Sequence, residues 1–320
     1  MRFLALLLCS LISCSTVAAT SNVPNKTSAS NTSKQLAHKK RIAVKARSVK
    51  PAIIRVKAAT EPARIRQLAL RSSSAIVIDQ QTGQFIVDKN SDEQVPIASL
   101  TKLMTAMVTL DSKLPLDEPI RITNEDVDRL RGSRSRVPVG TVLTRERLLN
   151  LALMSSENRA AAALARSYPG GTAAFVVAMN HKAKQLGMTR SSFADSTGLH
   201  NANQSTARDV ARLVSAAYEY QLIREYSTTS AKEVALPRYR SPVEFHNTNA
   251  LVKSEQWEIG LSKTGYTHEA GNCLALQAQI AGRSTIIVLL DSWGKSSRIG
   301  DANRVRKWVE NARVAGQITG

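Results

Sequence analysis

Ser99 and Lys102 stand three residues apart in the run IASLTKLMTAMV, residues 97–108, which is otherwise almost wholly apolar. On a helix this spacing puts both side chains on one face, with Cβ atoms about 5–6 Å apart. A serine hydroxyl becomes a useful nucleophile only when a base removes its proton, and a desolvated lysine, neutral at ordinary pH, can be that base. Alone, the pattern Ser-x-x-Lys recurs by chance in many helices. Two further fragments give it weight: Ser156-Glu157-Asn158 in MSSENRAA and Lys263-Thr264-Gly265 in LSKTGYT. Ser156 can relay a proton between Lys102 and a leaving amine. Asn158 can bond both a substrate amide and the Lys102 ammonium. Lys263, helped by the Thr264 hydroxyl, suits a terminal carboxylate. Gly265 has no Cβ and allows close backbone approach to a ligand. The backbone N–H groups of Ser99 and Tyr266 then suit an oxyanion hole. No cofactor is needed for this chemistry.

Several elements have to bring these fragments together. The AIVID and QFIVD runs around QTG read as a hairpin from Ala75, and residues 97–110 as a core helix. Residues 144–167 are helical in pattern, but SSEN interrupts them with residues that favour turns and caps. Helices follow at about 172–186, closed by Gly187, and at about 206–225, opened by Ser205 as N-cap. Strand character returns in EIGLSKTG, NCLALQAQIAG and STIIVLLD, before a last helix at about 298–312. Strands at both ends with helices between them predict a sheet assembled from distant parts of the chain. An inserted helical lobe flanks it, with a cleft at the junction.

The three motifs, in this order, are those shared by class A β-lactamases and penicillin-binding proteins. The longer segments PIASLTKLMTAMVTLD, LLNLALMSSENRAAAALARSYPGG, TGLHNANQSTARD and LSKTGYTHEAGNCL resemble the low-molecular-mass penicillin-binding proteins of the S11 serine peptidase family, over about Ser74 to Ala312. The resemblance implies an α+β fold (three-layer αβα): a β-lactamase/DD-peptidase-like antiparallel sheet flanked by helices. It implies Ser99 as acyl-enzyme nucleophile, Lys102 as general base, Ser156 and Asn158 as relay and orienter, and Lys263 as carboxylate binder. It also implies peptidoglycan stem peptides as substrates and β-lactams as covalent inhibitors. Tyr266 stands where carboxypeptidase members often have histidine, and the chain has neither their C-terminal β-domain nor their membrane-binding helix. The endopeptidase branch is therefore expected, with D-alanyl-D-alanine carboxypeptidase activity or a catalytically inactive wall-binding protein as alternatives.

Other candidates read as structural. ERLLN, Glu146–Asn150, imitates the glutamate motif with which β-lactamases activate water, but it precedes Ser156 instead of following it, so Glu146 reads as an acid of a first helical turn. His181 and His200 lack metal-ligand spacing, and no metal is expected. Asp195 and Asp209 read as turn and helix-start acids. Cys273 reads as a packed strand residue.

The formal charge of +19 is unevenly spread: between Ser21 and Ser74 stand thirteen Lys/Arg against one acid, Glu61, with no glycine or aromatic residue. Residues 1–19 have the layout of an export signal, with Arg2, an apolar stretch from Phe3 to Ile12 and then VAA; LISC, ending at Cys14, offers a lipoprotein signal instead. A periplasmic protein follows, with a basic flexible arm at 20–73 and a DD-peptidase catalytic domain at 74–320. The arm fits a spacer or a tether to anionic wall or membrane surfaces. Export and the lack of stacking aromatics argue against nucleic acid.

Overall fold

The computed structural model describes residues 68–314, and the expected signal and most of the basic arm lie outside them. Strands β1 (Ser72–Asp79) and β2 (Phe85–Lys89) form the opening hairpin, and β3 (Val95–Pro96) leads through a 3-10 turn (Ala98–Leu100) into α1 (Thr101–Asp111). The short strands β4 (Pro119–Arg121) and β5 (Val142–Thr144) pair as a ribbon, followed by α2 (Arg145–Met154), α3 (Asn158–Arg166) and α4 (Gly171–Gln185). Strand β6 (Gln204–Ser205) pairs with β3 and is followed by α5 (Ala207–Tyr218) and α6 (Gln221–Thr228). A second hairpin, β7 (Ala231–Val234) and β8 (Val243–His246), precedes the long strands β9 (Glu258–Thr267), β10 (Gly271–Ile280) and β11 (Arg283–Ser292), and the chain returns as α7 (Lys295–Val314).

The main sheet has the order β2-β1-β11-β10-β9 and is antiparallel at every junction. Side chains alternate across a strand, and both faces here are apolar. Ile286, Val288 and Leu290 of β11 join the core beneath the helical lobe, whereas Ile287 and Leu289 join a second core with Ala302, Val305 and Val309 of α7. That gives α7, sheet and helical lobe as three layers, the αβα arrangement expected. Within the lobe α1 is central: Thr101 through Thr109 are all buried, with α2 to α5 packed around it.

Several boundaries differ from expectation. The packed fold begins upstream of residue 74, since Leu68 and Leu70 are buried in the α7-side core and β1 starts at Ser72. Asp301 on α7 fixes this entry by accepting from the Arg71 and Ser72 backbone N–H groups and from Ser72 Oγ. The helix expected over 206–225 is two helices, parted at Glu219–Tyr220. Its N-cap is Thr206, whose Oγ1 accepts from Asp209 N at 3.0 Å, and Ser205 instead pairs with Val95 in the β3–β6 ribbon. No glycine or proline announces the break; Tyr220 makes it, in an extended conformation with its hydroxyl donating to Asp111. The β7–β8 hairpin was not legible as strands, because its alternation is short and charged. Among the described residues no helix is long and apolar enough to cross a membrane.

Candidate active site

Ser99 lies in the 3-10 turn ahead of α1, where Ala98 takes φ +46°, a region L-residues enter at a cost. The turn presents Ser99, half-buried, at the mouth of the helix, and places Lys102 one turn below it in the core. Lys102 is fully buried. Its Nζ lies 2.9 Å from Ser99 Oγ, 2.7 Å from Asn158 Oδ1 and 2.6 Å from the Thr197 carbonyl oxygen. Burial brings its pKa down to about 7, against the opposing charges of Asp195 and Glu157.

These three neighbours determine where a neutral amine must point. An ammonium has three protons to donate; a neutral amine has two and a lone pair. The Thr197 carbonyl and Asn158 Oδ1 can only accept, and the Asn158 amide is oriented by its own Nδ2, which donates to Ser133 Oγ at 2.9 Å. Ser99 is the one partner with a hydrogen to give. The lone pair of neutral Lys102 therefore faces the serine hydroxyl.

Ser156 stands at the tip between α2 and α3 with φ +60°. Its expected partner was Lys102, but its Oγ accepts from Lys263 Nζ at 2.9 Å. Lys263, in β9, is buried and also donates to the Thr264 carbonyl at 3.0 Å. Burial first, and then the charges of Lys102 and Arg298, hold its pKa well below that of an ordinary lysine. Thr264 Oγ1 bonds Thr248 Oγ1 at 2.7 Å. Gly265 has a further constraint beside the expected approach to a ligand. A Cβ there would meet the Ile97 carbonyl oxygen at 3.0 Å and Ser99 N at 3.1 Å, so the close approach is of β9 to the serine turn. That contact sets the Ser99 N–H beside β9, one residue from Tyr266, whose side chain is exposed.

A cleft of about 440 Å³ joins these groups, bounded by Ser99, Ser156 and Asn158 from the lobe side and by Thr264, Gly265 and Tyr266 from the sheet edge. Ser133, Leu199, Thr248, Lys295 and Arg298 complete its wall. Sequence reasoning missed Ser133, Thr197, Thr248 and Arg298. Arg298 is buried in the first turns of α7 and donates to the carbonyls of Gly265 and Cys273, so it braces the strand that carries the third motif. Thr197 belongs to a turn held by Asp195, whose Oδ1 accepts from the N–H groups of Thr197 at 2.7 Å and Gly198 at 2.6 Å. The Asp-x-x-Gly spacing signals such a turn; its proximity to Lys102 is tertiary.

The remaining candidates stand apart from the chemistry. Glu146 is exposed in the first turn of α2 and accepts from the Tyr226 hydroxyl at 2.6 Å. Asp209 is buried in the first turn of α5, accepting from Arg190 N and Ser191 Oγ. His181 is exposed on α4, and His200 Nδ1 accepts from Ala202 N. Among the described residues no group of three or more His, Cys, Asp or Glu is placed to hold a metal. Cys273 is buried in β10, where burial pushes its thiol up to about 11.

Comparison with known proteins agrees with this geometry. The D-alanyl-D-alanine endopeptidase of Pseudomonas aeruginosa is 50% identical over 248 residues, 78% of this chain and 80% of that protein. The Streptomyces K15 DD-transpeptidase crystal structure superposes with a TM-score of 0.70 at 28% identity, covering 75% of this chain and 97% of that one. Penicillin-binding protein D2 of Listeria monocytogenes, in its ampicillin-bound form, gives 0.64 at 27% identity over 75% and 97% of the two chains. The peptidase S11 family, described as D-alanyl-D-alanine carboxypeptidase, matches residues 56–294. With a matching fold and the lysine-coupled serine in place, the chain belongs to the S11 family of serine peptidases.

Proposed function

We propose that the protein is a penicillin-sensitive serine DD-peptidase that cleaves D-alanyl amide bonds of peptidoglycan stem peptides through an acyl-serine intermediate, acting chiefly as a crosslink endopeptidase. The observation that carries this reading is the position of buried Lys102 Nζ, 2.9 Å from Ser99 Oγ, with acceptor-only oxygens of Asn158 and Thr197 as its other partners. Neutral Lys102 takes the Ser99 proton as Oγ attacks the D-alanyl carbonyl. The oxyanion that forms is met by the backbone N–H groups of Ser99 and Tyr266. The leaving amine needs a proton, which passes from Lys102 or through the Ser156–Lys263 pair. Asn158 holds Lys102 in register throughout. Water then attacks the acyl-serine with the same groups in reverse.

Lys263, Thr264 and the nearby Arg298 charge suit a substrate carboxylate, whose arrival would restore the ammonium form of Lys263. That feature fits a free C-terminus, as in carboxypeptidase action, and equally the carboxylate on the D-centre of a crosslinking diaminopimelate. The endopeptidase reading is favoured by the 50% identical Pseudomonas relative that bears that name. The test is digestion of purified crosslinked muropeptide dimers beside pentapeptide monomers. Conversion of dimers to monomers, lost in Ser99→Ala, is expected; release of D-alanine from monomers alone would reassign the enzyme as a carboxypeptidase.

β-Lactams acylate Ser99 by the same first half-reaction. Glu146 lies outside the cleft and does not serve as a β-lactamase glutamate. Labelling by a fluorescent penicillin should therefore be long-lived, and an enzyme that never labels would be an inactive wall-binding protein. An export signal at residues 1–19, or a lipoprotein signal ending before Cys14, fits a periplasmic setting for this chemistry.

A further inference from the structure

Glu157, the middle residue of the Ser-Glu-Asn turn, has no part in the steps above, yet it is only 8% exposed. Withdrawing a carboxylate from water is costly unless charged or polar partners compensate. Asp195, the other acid whose charge acts on Lys102, has its oxygens occupied: they accept from the N–H groups of Thr197, Gly198 and His200 and from Asn203 Nδ2. Glu157 is different. Its Oε1 is buried with no hydrogen-bond partner, and the residue directly precedes Asn158, whose Oδ1 lies 2.7 Å from Lys102 Nζ. The charges of Lys102 on α1, Arg136 between β4 and β5, and Arg159 on α3 act on its carboxyl, although none forms an ion pair with it. None of the three hydrogen bonds of Lys102 goes to Glu157.

We propose that Glu157 is a positioning residue that governs the charge of the catalytic base: its carboxylate, buried one residue before Asn158 and unbonded to Lys102, acts on the amine through space. An acid in direct contact would occupy one of the amine's bonds and compete with Ser99. One held aside stabilises the ammonium between turnovers while leaving its three bonds to Ser99, Asn158 and Thr197. The shift of Lys102 is thus set by burial, opposed by the charges of Asp195 and Glu157. Burial raises the Glu157 carboxyl itself, opposed by Ser135, Lys102, Arg136 and Arg159. Base and acid are therefore pushed toward each other in pH, and a change at one is felt at the other.

The inference rests on Lys102 as the base, and its test separates the two ideas. The rate of acylation by benzylpenicillin is measured from about pH 5 to about pH 9, where the acid limb reports protonation of the base in free enzyme. Removing a negative charge disfavours the ammonium, so Glu157→Gln should move the limb to lower pH, on the order of one unit for a nearby charge. Well below the limb that is about a tenfold faster acylation. Glu157→Asp, keeping the charge, should leave the limb near its original place. Glu157→Ala, which removes the same charge, should move it in the same direction as Glu157→Gln, and it decides the matter if that variant does not fold. A uniform loss of rate with an unmoved limb would show a packing role and overturn the inference. Persistence of acylation in Lys102→Ala would instead overturn the assignment of the base.

Discussion

At the scale of single residues, the site depends on making a lysine basic without letting it stay charged. An exposed lysine is an ammonium at neutral pH; full burial of Lys102 brings it to about 7, so neutral and charged forms coexist. The neutral fraction rises with pH, and acylation of Ser99 should rise through an acid limb near that value and level off above it. Lys102→Arg provides the sharper check. A guanidinium does not lose its proton in this range, so the variant should lose about two to four orders of magnitude in acylation rate and show no recovery up to about pH 9, measured with a fluorescent penicillin. The lysine three residues after a serine was visible in the sequence, and so was its apolar surround. Its third partner was not, because the Thr197 carbonyl comes from a backbone group 95 positions away, and backbone atoms carry no residue-type signal.

At the scale of elements, the serine turn is held from both sides by glycines. Gly265 in β9 lets the strand close on Ile97 and Ser99. Gly198, with φ +83°, lies so near the turn that a Cβ there would fall 2.0 Å from the Ala98 carbonyl oxygen and 2.9 Å from Ser99 N. Both clashes are with backbone, which has no rotamer by which to yield. Gly198→Ala should therefore cost more than the roughly 1–2 kcal/mol of the left-handed conformation alone. Urea unfolding and acylation rate, measured together, should fall together, since displacing Ala98 displaces Ser99; an active variant of unchanged stability would contradict this account. The K-T-G glycine was legible as a site residue for approach to a ligand, but its approach to the neighbouring turn was not. Gly198 was legible only as the end of an Asp-initiated turn.

At the scale of the whole molecule, the sheet is the rigid member to which both halves of the site are referred. Its lobe-side face carries α1 and the serine, and its edge strand carries Lys263 to Tyr266. On the other face α7 packs against the sheet, reaches the cleft with Arg298 and ties down the start of β1 with Asp301. Because Leu68 and Leu70 belong to that packing, the basic arm can be removed only upstream of them. Deleting residues 21–66 should leave penicillin acylation unchanged and weaken binding to isolated sacculi at low salt, where charge attraction is least screened. Equal binding by the truncated and full chains would end the tether reading.

The sequence by itself determined the candidate reactive set, the αβα class and the family, because each of the three motifs is local: a few side chains at fixed spacing on one element. The long apolar strands and the central helix were legible for the same reason, since burial on both faces writes itself into composition. Only the tertiary structure decided which amine serves which hydroxyl. It gave Ser156 to Lys263, left Ser99 as the one proton donor to Lys102, and buried Glu157 with no bond to that lysine. Those choices depend on distances between elements far apart in the chain, and on burial, which residue order alone does not specify.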